Sequence, residues 1–241
     1  MKFRIGLLAI LSLILILRGS EAFAQDESKR SPAITTGTLS PLKMRSIGPA
    51  LMSGRIADIA IDAKQPNTWY VAAGSGNLWK TINAGTTWKP IFERYGSYSI
   101  GCIALDPSDR DTLWVGTGEN VGGRHVGYGD GIYVSHDGGQ TFVNKGLKNS
   151  EHLSKIIIHP EDSQTLFVAS QGPLWSSGGE RGLYKSTDGG ATWRAVLTRG
   201  PWTGVTDVVM DPKNPNILFA ATHQRHRTVY GLINGLSLIH I

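Results

Sequence analysis

Lys185-Ser-Thr-Asp-Gly-Gly-Ala-Thr-Trp193, KSTDGGATW, sets an acid, two adjacent glycines and a tryptophan within nine residues. An Asp ahead of Gly-Gly can accept backbone N–H groups across a tight turn, and glycine takes up the positive φ that such a turn requires. The tryptophan then opens a strand and can fold back on a neighbouring sheet. The stretch therefore reads as a hairpin, with a catalytic acid or a calcium ligand as the competing readings. Its recurrence decides between them. VSHDGGQTF (134–142) and KTINAGTTW (80–88) repeat the phrase, with Asn83 in place of the acid and Phe142 in place of the tryptophan. A catalytic acid is needed once, and an Asn closes an Asx-turn but cannot serve as a general base. The structural set is Asn83, Gly85 and Trp88; Ser135, Asp137, Gly139 and Phe142; and Ser186, Asp188, Gly190 and Trp193.

A second phrase precedes each copy of the first. IAIDAKQPNTWYVAAG (59–74), IALDPSDRDTLWVGTG (103–118), IIHPEDSQTLFVAS (157–170) and VVMDPKNPNILFAAT (208–222) each join two apolar runs through a Pro-containing turn. Asn83, Asp137 and Asp188 are 54 and 51 residues apart. A period in this range with four strand signals per unit predicts the blades of a β-propeller. In the second unit the strands are expected at Ser97–Leu105, Thr112–Thr117, Gly131–Ser135 and Thr141–Asn144. The fold class is all-β: a partial β-propeller of four-stranded antiparallel blades, three complete and part of a fourth. Thirty glycines, seven tryptophans and the lack of helical periodicity after residue 42 agree with it.

The two ends stand outside the repeat. Lys2 and Arg4 precede an apolar run, Ile5–Leu17, and Ala22-Phe-Ala24 offers a small-residue cleavage site, the order of a secretory signal peptide cut after Ala24. That run is shorter than the ~20 residues that span a bilayer, so a secreted or periplasmic chain is expected and an integral membrane protein is not. Residues 25–43 read as a flexible linker and 44–235 as blades 1–4. Leu236-Ser-Leu-Ile-His-Ile241 breaks the pattern, resembles a translated sequencing adapter and is set aside as an artefact, so the natural chain is expected to continue with further blades. Of the formal charge of +5, the first 24 residues carry +2 (Lys2, Arg4 and Arg18 against Glu21), leaving about +3, too little and too evenly spread for nucleic acid. The single cysteine, Cys102, excludes an internal disulfide and sits in an apolar run as a buried, inert thiol.

The S-x-D-x-G-x-T-W phrase resembles the Asp-box, or BNR repeat, of sialidase-type and sortilin-type β-propellers. Residues 44–235 resemble the N-terminal part of large secreted bacterial proteins of the sortilin N-terminal-like kind. Similar blades occur in two-propeller xyloglucanases and in photosystem II assembly factors. The resemblance implies fold more than function. Xyloglucanase-like first blades carry an acid in a Thr-Asp-x-Gly-Gly loop, where this chain has Ala73-Gly-Ser-Gly-Asn77. Arg55-Ile56-Ala57 is only partly similar to the sialidase Arg-Ile-Pro.

Strand parity locates the ligand face. In an antiparallel blade of strands A to D, the A–B and C–D turns share one face and the B–C and D–A loops the other. The Asp-boxes lie on the first face. The second receives GENVGGRHVGYGDG (118–131), SQGPLWSSGGERG (170–182) and THQRHRTVYG (222–231). Candidate ligand residues there are Arg55, Glu119, Arg124, His125, Tyr128, Trp175, Arg181, His223 and Arg225, with Arg suited to carboxylates and Trp or Tyr to sugar faces. Arg–Glu pairs that merely brace the loops are the alternative. His223 and His226 lie at i, i+3 without nearby acids, so no metal and no cofactor is expected. The expected function is an exported binding or scaffold module for carbohydrate or peptide, with a glycoside hydrolase completed by further blades as the alternative. About three and a half blades leave two apolar edges, so this stretch alone is expected to fold poorly.

Overall fold

The computed structural model describes residues 54–240; the expected signal peptide, the linker and residues 44–53 of the first blade lie outside them. Fifteen strands form four antiparallel sheets, each a meander in chain order. Blade 1 is β1 (Ile56–Ile61), β2 (Trp69–Ala73), β3 (Asn77–Thr81) and β4 (Lys89–Pro90). Blade 2 is β5 (Ile100–Leu105), β6 (Leu113–Thr117), β7 (Ile132–Ser135) and β8 (Val143–Asn144). Blade 3 is β9 (Leu153–His159), β10 (Asp162–Ser170), β11 (Gly182–Ser186) and β12 (Arg194–Leu197). Blade 4 has three strands, β13 (Thr203–Met210), β14 (Leu218–Arg227) and β15 (Leu232–His240). The fold is a partial β-propeller, and its inner strands β1, β5, β9 and β13 lie beside one another in sequence order.

The core is divided among the interfaces between blades. Alternation along a strand sends successive side chains to opposite faces, so a strand flanked by sheets on both sides is apolar throughout. Tyr70, Ala72, Leu78 and Phe92 of blade 1 meet Ile100, Ile103, Val115 and Tyr133 of blade 2. Cys102, Trp114, Ile132 and Val134 on the other face of blade 2 meet Leu153, Ile156 and Val168 of blade 3. Phe167, Ala169 and Leu183 then meet Val205, Val208 and Ala220 of blade 4. Cys102 is buried and free, and burial raises its thiol pKa far above the ordinary range, as an inert core thiol requires.

All four inner strands slip register at one equivalent place, at Ala57, Gly101, Ser154 and Thr206. A bulge at this position bends the strand and raises its twist near the axis. At Gly101 the chain passes so close to the carbonyls of Leu153 and Gly118 that a Cβ has no room. The Asp-Pro turns tie the opposite rim: Asp106 accepts the Ser108 N–H (2.8 Å) and the Ser163 hydroxyl of blade 3 (2.8 Å), and Arg110 pairs with Asp62 of blade 1 at 2.8 Å.

Several boundaries differ from those read in the sequence. The inner strand of blade 2 starts at Ile100 and not at Ser97, because the Ser97 and Ser99 hydroxyls donate to the loop carbonyls of Tyr128 (2.7 Å) and Gly74. β8 starts at Val143, two residues later than expected. β14 runs on to Arg227, so His223 and Arg225 are strand residues and the turn is only 228–231, closed by Thr228 N–H to Gly231 O at 2.8 Å. β15 continues through 236–240, the segment set aside above, since an open sheet edge pairs with extended chain through main-chain groups alone.

Candidate functional site

The three Asp-box hairpins hold their acid or amide in one geometry. Asp188 Oδ1 accepts the Thr192 N–H (2.9 Å) and the Ser186 hydroxyl (2.7 Å), and Oδ2 accepts the Thr192 hydroxyl (2.6 Å). Asp137 repeats this with Thr141 and Ser135, and Asn83 with Thr87 and Thr81. Gly190, Gly139 and Gly85 each donate N–H to the Ser or Thr hydroxyl, at positive φ. Hydrogen bonds from Thr192 and then Ser186 hold the Asp188 carboxyl down at about 2. At Asp137 burial opposes ionisation, but the Thr141, Ser135 and Gln140 donors outweigh it and the pKa falls. These acids are turn residues with every oxygen engaged. In two of the boxes the aromatic residue clamps the preceding blade: Phe142 packs on Phe92 and Tyr95 of blade 1, and Trp193 meets Trp114 edge-on and donates to Lys145 O of blade 2 (2.7 Å), whereas Trp88 packs on Trp69 of its own blade.

On the loop face Arg181 and Arg225 point inward. Arg181 is buried, and all five of its donors reach main-chain oxygens: Nε to Gly178 (2.8 Å), Nη1 to Gln171 (2.8 Å) and Trp202 (3.5 Å), Nη2 to Ser176 (2.7 Å) and Pro173. Arg225, also buried, donates to Val121 O (3.0 Å), Gly172 O (3.5 Å) and the Gln171 amide oxygen. Burial lowers both guanidiniums to about 10, and both remain charged at neutral pH. Arg227 binds Gly122 O, and Arg124, itself exposed, reaches Val229 O at 3.1 Å, so the long loop of blade 2 is fastened to blade 4. Glu119 is buried and ion-paired with Arg55. Arg55, Glu119, Arg181 and Arg225, read from the sequence as candidate ligand contacts, are in this structure the braces of the loops.

What this face exposes is aromatic. Tyr98 is 56% and Tyr128 54% accessible, and Ser97 links their two loops by its bond to Tyr128 O; Trp175 is exposed on the blade 3 loop. His125 is exposed as well. His226 lies flat on Trp202, with centroids 3.7 Å apart, and the Arg181 guanidinium sits 5.8 Å from the centre of the same indole. His223 is half-buried, which lowers its pKa, and on a strand it faces away from His226. Among the described residues no three His, Cys, Asp or Glu side chains converge as a metal-holding group.

Residues 130–233 match the family model of sortilin, neurotensin receptor 3 (Sortilin-Vps10). The chain is a partial β-propeller that is similar to the sortilin family over those residues. It is 24% identical over 199 residues to a xyloglucanase of a Paenibacillus species, covering 76% of this chain and 18% of that one. To a xyloglucanase of Acetivibrio thermocellus it is 28% identical over 179 residues, covering 58% and 20%. Among solved structures it is similar to an ancestral GH74 enzyme (TM-score 0.57, 16% identity, 78% of this chain and 25% of that one). It is likewise similar to a GH74 enzyme from Niastella koreensis (TM-score 0.55, 22% identity, 74% and 29%). The chain thus spans about a fifth of the length of these curated relatives, and the likeness to solved structures is one of fold.

Glu151 and His152, which the alternation of turns places on the D–A loop side, lie just before β9. Glu151 takes a positive φ of 55° and is half-buried, and burial raises its carboxyl pKa against the pull of Arg181 and Arg225. Next to it, His152 is fully buried under Tyr128, its centroid 5.6 Å from that ring. Burial, aided by the Arg225 charge, lowers its pKa to about 3, so the ring is neutral. A cavity of about 780 Å³ opens on the Asp-box side, between the outer strand of blade 1 and the hairpin of blade 2, lined by Lys80, Trp88, Lys89, Arg94 and Tyr95. The parity argument had assigned that side no ligand.

Proposed function

We propose that the loop face is a carbohydrate-binding surface of an exported propeller, with Tyr98, Tyr128 and Trp175 as platforms for sugar rings. The observation that carries this reading is the division of labour on that face. Its buried guanidiniums are spent on loop carbonyls, while its aromatic side chains stand exposed on loops so braced. Exposed aromatic faces stack on the apolar faces of sugars, and rigid loops lose little entropy on binding. The xyloglucanases among the relatives support a glycan over a peptide, and the basic, apolar N-terminus supports export. Xyloglucan oligosaccharides are expected to bind in titration calorimetry, and a Tyr98→Ala, Tyr128→Ala, Trp175→Ala variant to lose that heat while Arg124→Ala keeps it. Binding of peptides but of no glycan would sink the proposal.

A hydrolase is the second reading, and Glu151 is what favours it, as a carboxyl of raised pKa on the same face. Glycoside hydrolysis takes two carboxyl groups. The other acids described on this face are engaged: Glu119 with Arg55, Asp130 with the Tyr133 hydroxyl, and Glu180 with the Asn149 N–H. Binding without turnover is therefore the reading these residues support. Release of reducing ends from xyloglucan, abolished by Glu151→Gln, would reverse that preference.

A further inference from the structure

On the Asp-box side the boundary between blades 1 and 2 is packed differently from that between blades 2 and 3. Between blades 2 and 3 the box aromatic is Trp193, whose indole lies against Gly146 and donates to Lys145 O at 2.7 Å. Counted from the box, the equivalent residues between blades 1 and 2 are Phe142, Phe92 and Ile91. Phe92 packs edge-on against Phe142 and takes the room that Gly146 leaves for an indole. Phe142 has no N–H to give, so Ile91 O, which by this equivalence faces blade 2, lacks the donor that Lys145 O receives. Ile91 and Tyr95 also line the cavity of about 780 Å³ at this boundary, a volume within the ~300–1,000 Å³ of small-ligand sites. Both walls of the cavity belong to adjoining blades of the described chain.

Cations dominate the charged lining. Lys80 and Lys89 are direct partners across β3 and β4, so their side chains share one face of the sheet, where like charges repel. Lys80 Nζ donates to Gly138 O of blade 2 at 2.7 Å. Burial lowers its pKa, and the Arg110 and Lys89 charges lower it further against the pull of Asp111 and Asp137. Lys89 and Arg94 are exposed, and among the described residues neither has a hydrogen bond or an ion pair. Glu93 is the one acid among the described residues that line the cavity, against three cations. Unpaired cations, an apolar wall and a main-chain oxygen short of a donor together suit a ligand with a carboxylate, carbon-rich ring faces and hydroxyl groups. An acidic sugar has all three. An acidic peptide would match the charge, but such peptides gain affinity by adding to a strand edge, and β4 offers two residues, of which Pro90 has no N–H.

We propose that this cavity binds an acidic sugar, with Lys89 and Arg94 meeting its carboxylate beside Lys80 and Ile91 O accepting from a ring hydroxyl. The site lies on the face opposite the loops and is independent of any glycan bound there. Digalacturonate is the probe and galactobiose its neutral counterpart. In titration calorimetry on the full chain, digalacturonate is expected to bind about tenfold more tightly than galactobiose, as charge-assisted bonds imply, and to weaken as salt is raised. Lys89→Gln combined with Arg94→Gln replaces two exposed, unbonded side chains. It should leave the far-UV spectrum unchanged and weaken digalacturonate about tenfold. The Tyr98→Ala, Tyr128→Ala, Trp175→Ala variant should bind digalacturonate as the wild type does. Absence of heat with digalacturonate, equal affinity for the two disaccharides, indifference to the Lys89 and Arg94 substitutions, loss of binding in the loop-face variant, or tighter binding of an aspartate-rich peptide of equal charge would each overturn the proposal.

Discussion

At Asp188 the carboxylate is worth more to the fold ionised than protonated, because four donor groups in and around its hairpin are arranged for an acceptor. Its folded pKa of about 2 lies below the ordinary 3.8, so the stabilisation it gives is fully present above about pH 4 and is lost as the pH falls toward 2. Asn83 shows the neutral solution to the same turn: its Oδ1 takes the Thr87 N–H, and its Nδ2 reverses the second bond by donating to the Thr87 hydroxyl. Asp188→Asn is accordingly expected to fold at neutral pH with little loss and to show a shallower fall in melting temperature between pH 4 and 2 than the wild type. An acid limb as steep as the wild type's would place the titrating group elsewhere. This residue was legible in the sequence because its bonds span two to four positions. A repeat that preserves spacing preserves them, and the Asn in blade 1 already excluded general-base chemistry.

Strands and loops were legible to different depths. Parity and turn chemistry put the Asp-boxes on one face and the long loops on the other, and the sheets follow that order. The direction of a loop side chain is another matter. Arg181 finds its carbonyls within its own loop and at Trp202, while Arg225 reaches Val121, 104 residues away, so no local pattern marks either as buried. The sequence shows a guanidinium on a loop, and only the folded loops show that main-chain oxygens surround it. Five donors in a rigid fork cannot be replaced by the three of an ammonium on a flexible stem. Arg181→Lys is expected to cost about 2–4 kcal/mol in urea unfolding, as loss of several charge-assisted bonds at a buried site implies. Arg124→Ala removes one exposed contact and should stay within ~0.5 kcal/mol of the wild type. Equal losses for the two would contradict the division between bracing and exposed residues on this face.

Across the whole molecule the stabilising apolar surface is partitioned into three interblade cores, and none of the four sheets has a core to itself. Among the described residues blades 2 and 3 pack against a blade on each side, and blades 1 and 4 against one. The period of the repeat made the number of sheets legible, but Ile59 reads like Ile103 in sequence and among the described residues is 53% accessible where Ile103 is 6%. Cooperativity should follow from this arrangement, since each blade is held by its neighbours much as in other repeat arrays. Trp193 is where this can be read, since it meets Trp114 edge-on and donates to Lys145 O across the boundary between blades 2 and 3. Trp193→Ala is expected to cost about 3 kcal/mol in urea unfolding and to lower hydrogen-exchange protection in the strands of blades 2 and 3 together. A loss of protection confined to blade 3 would mean that the blades open independently and that the interblade cores do not couple them.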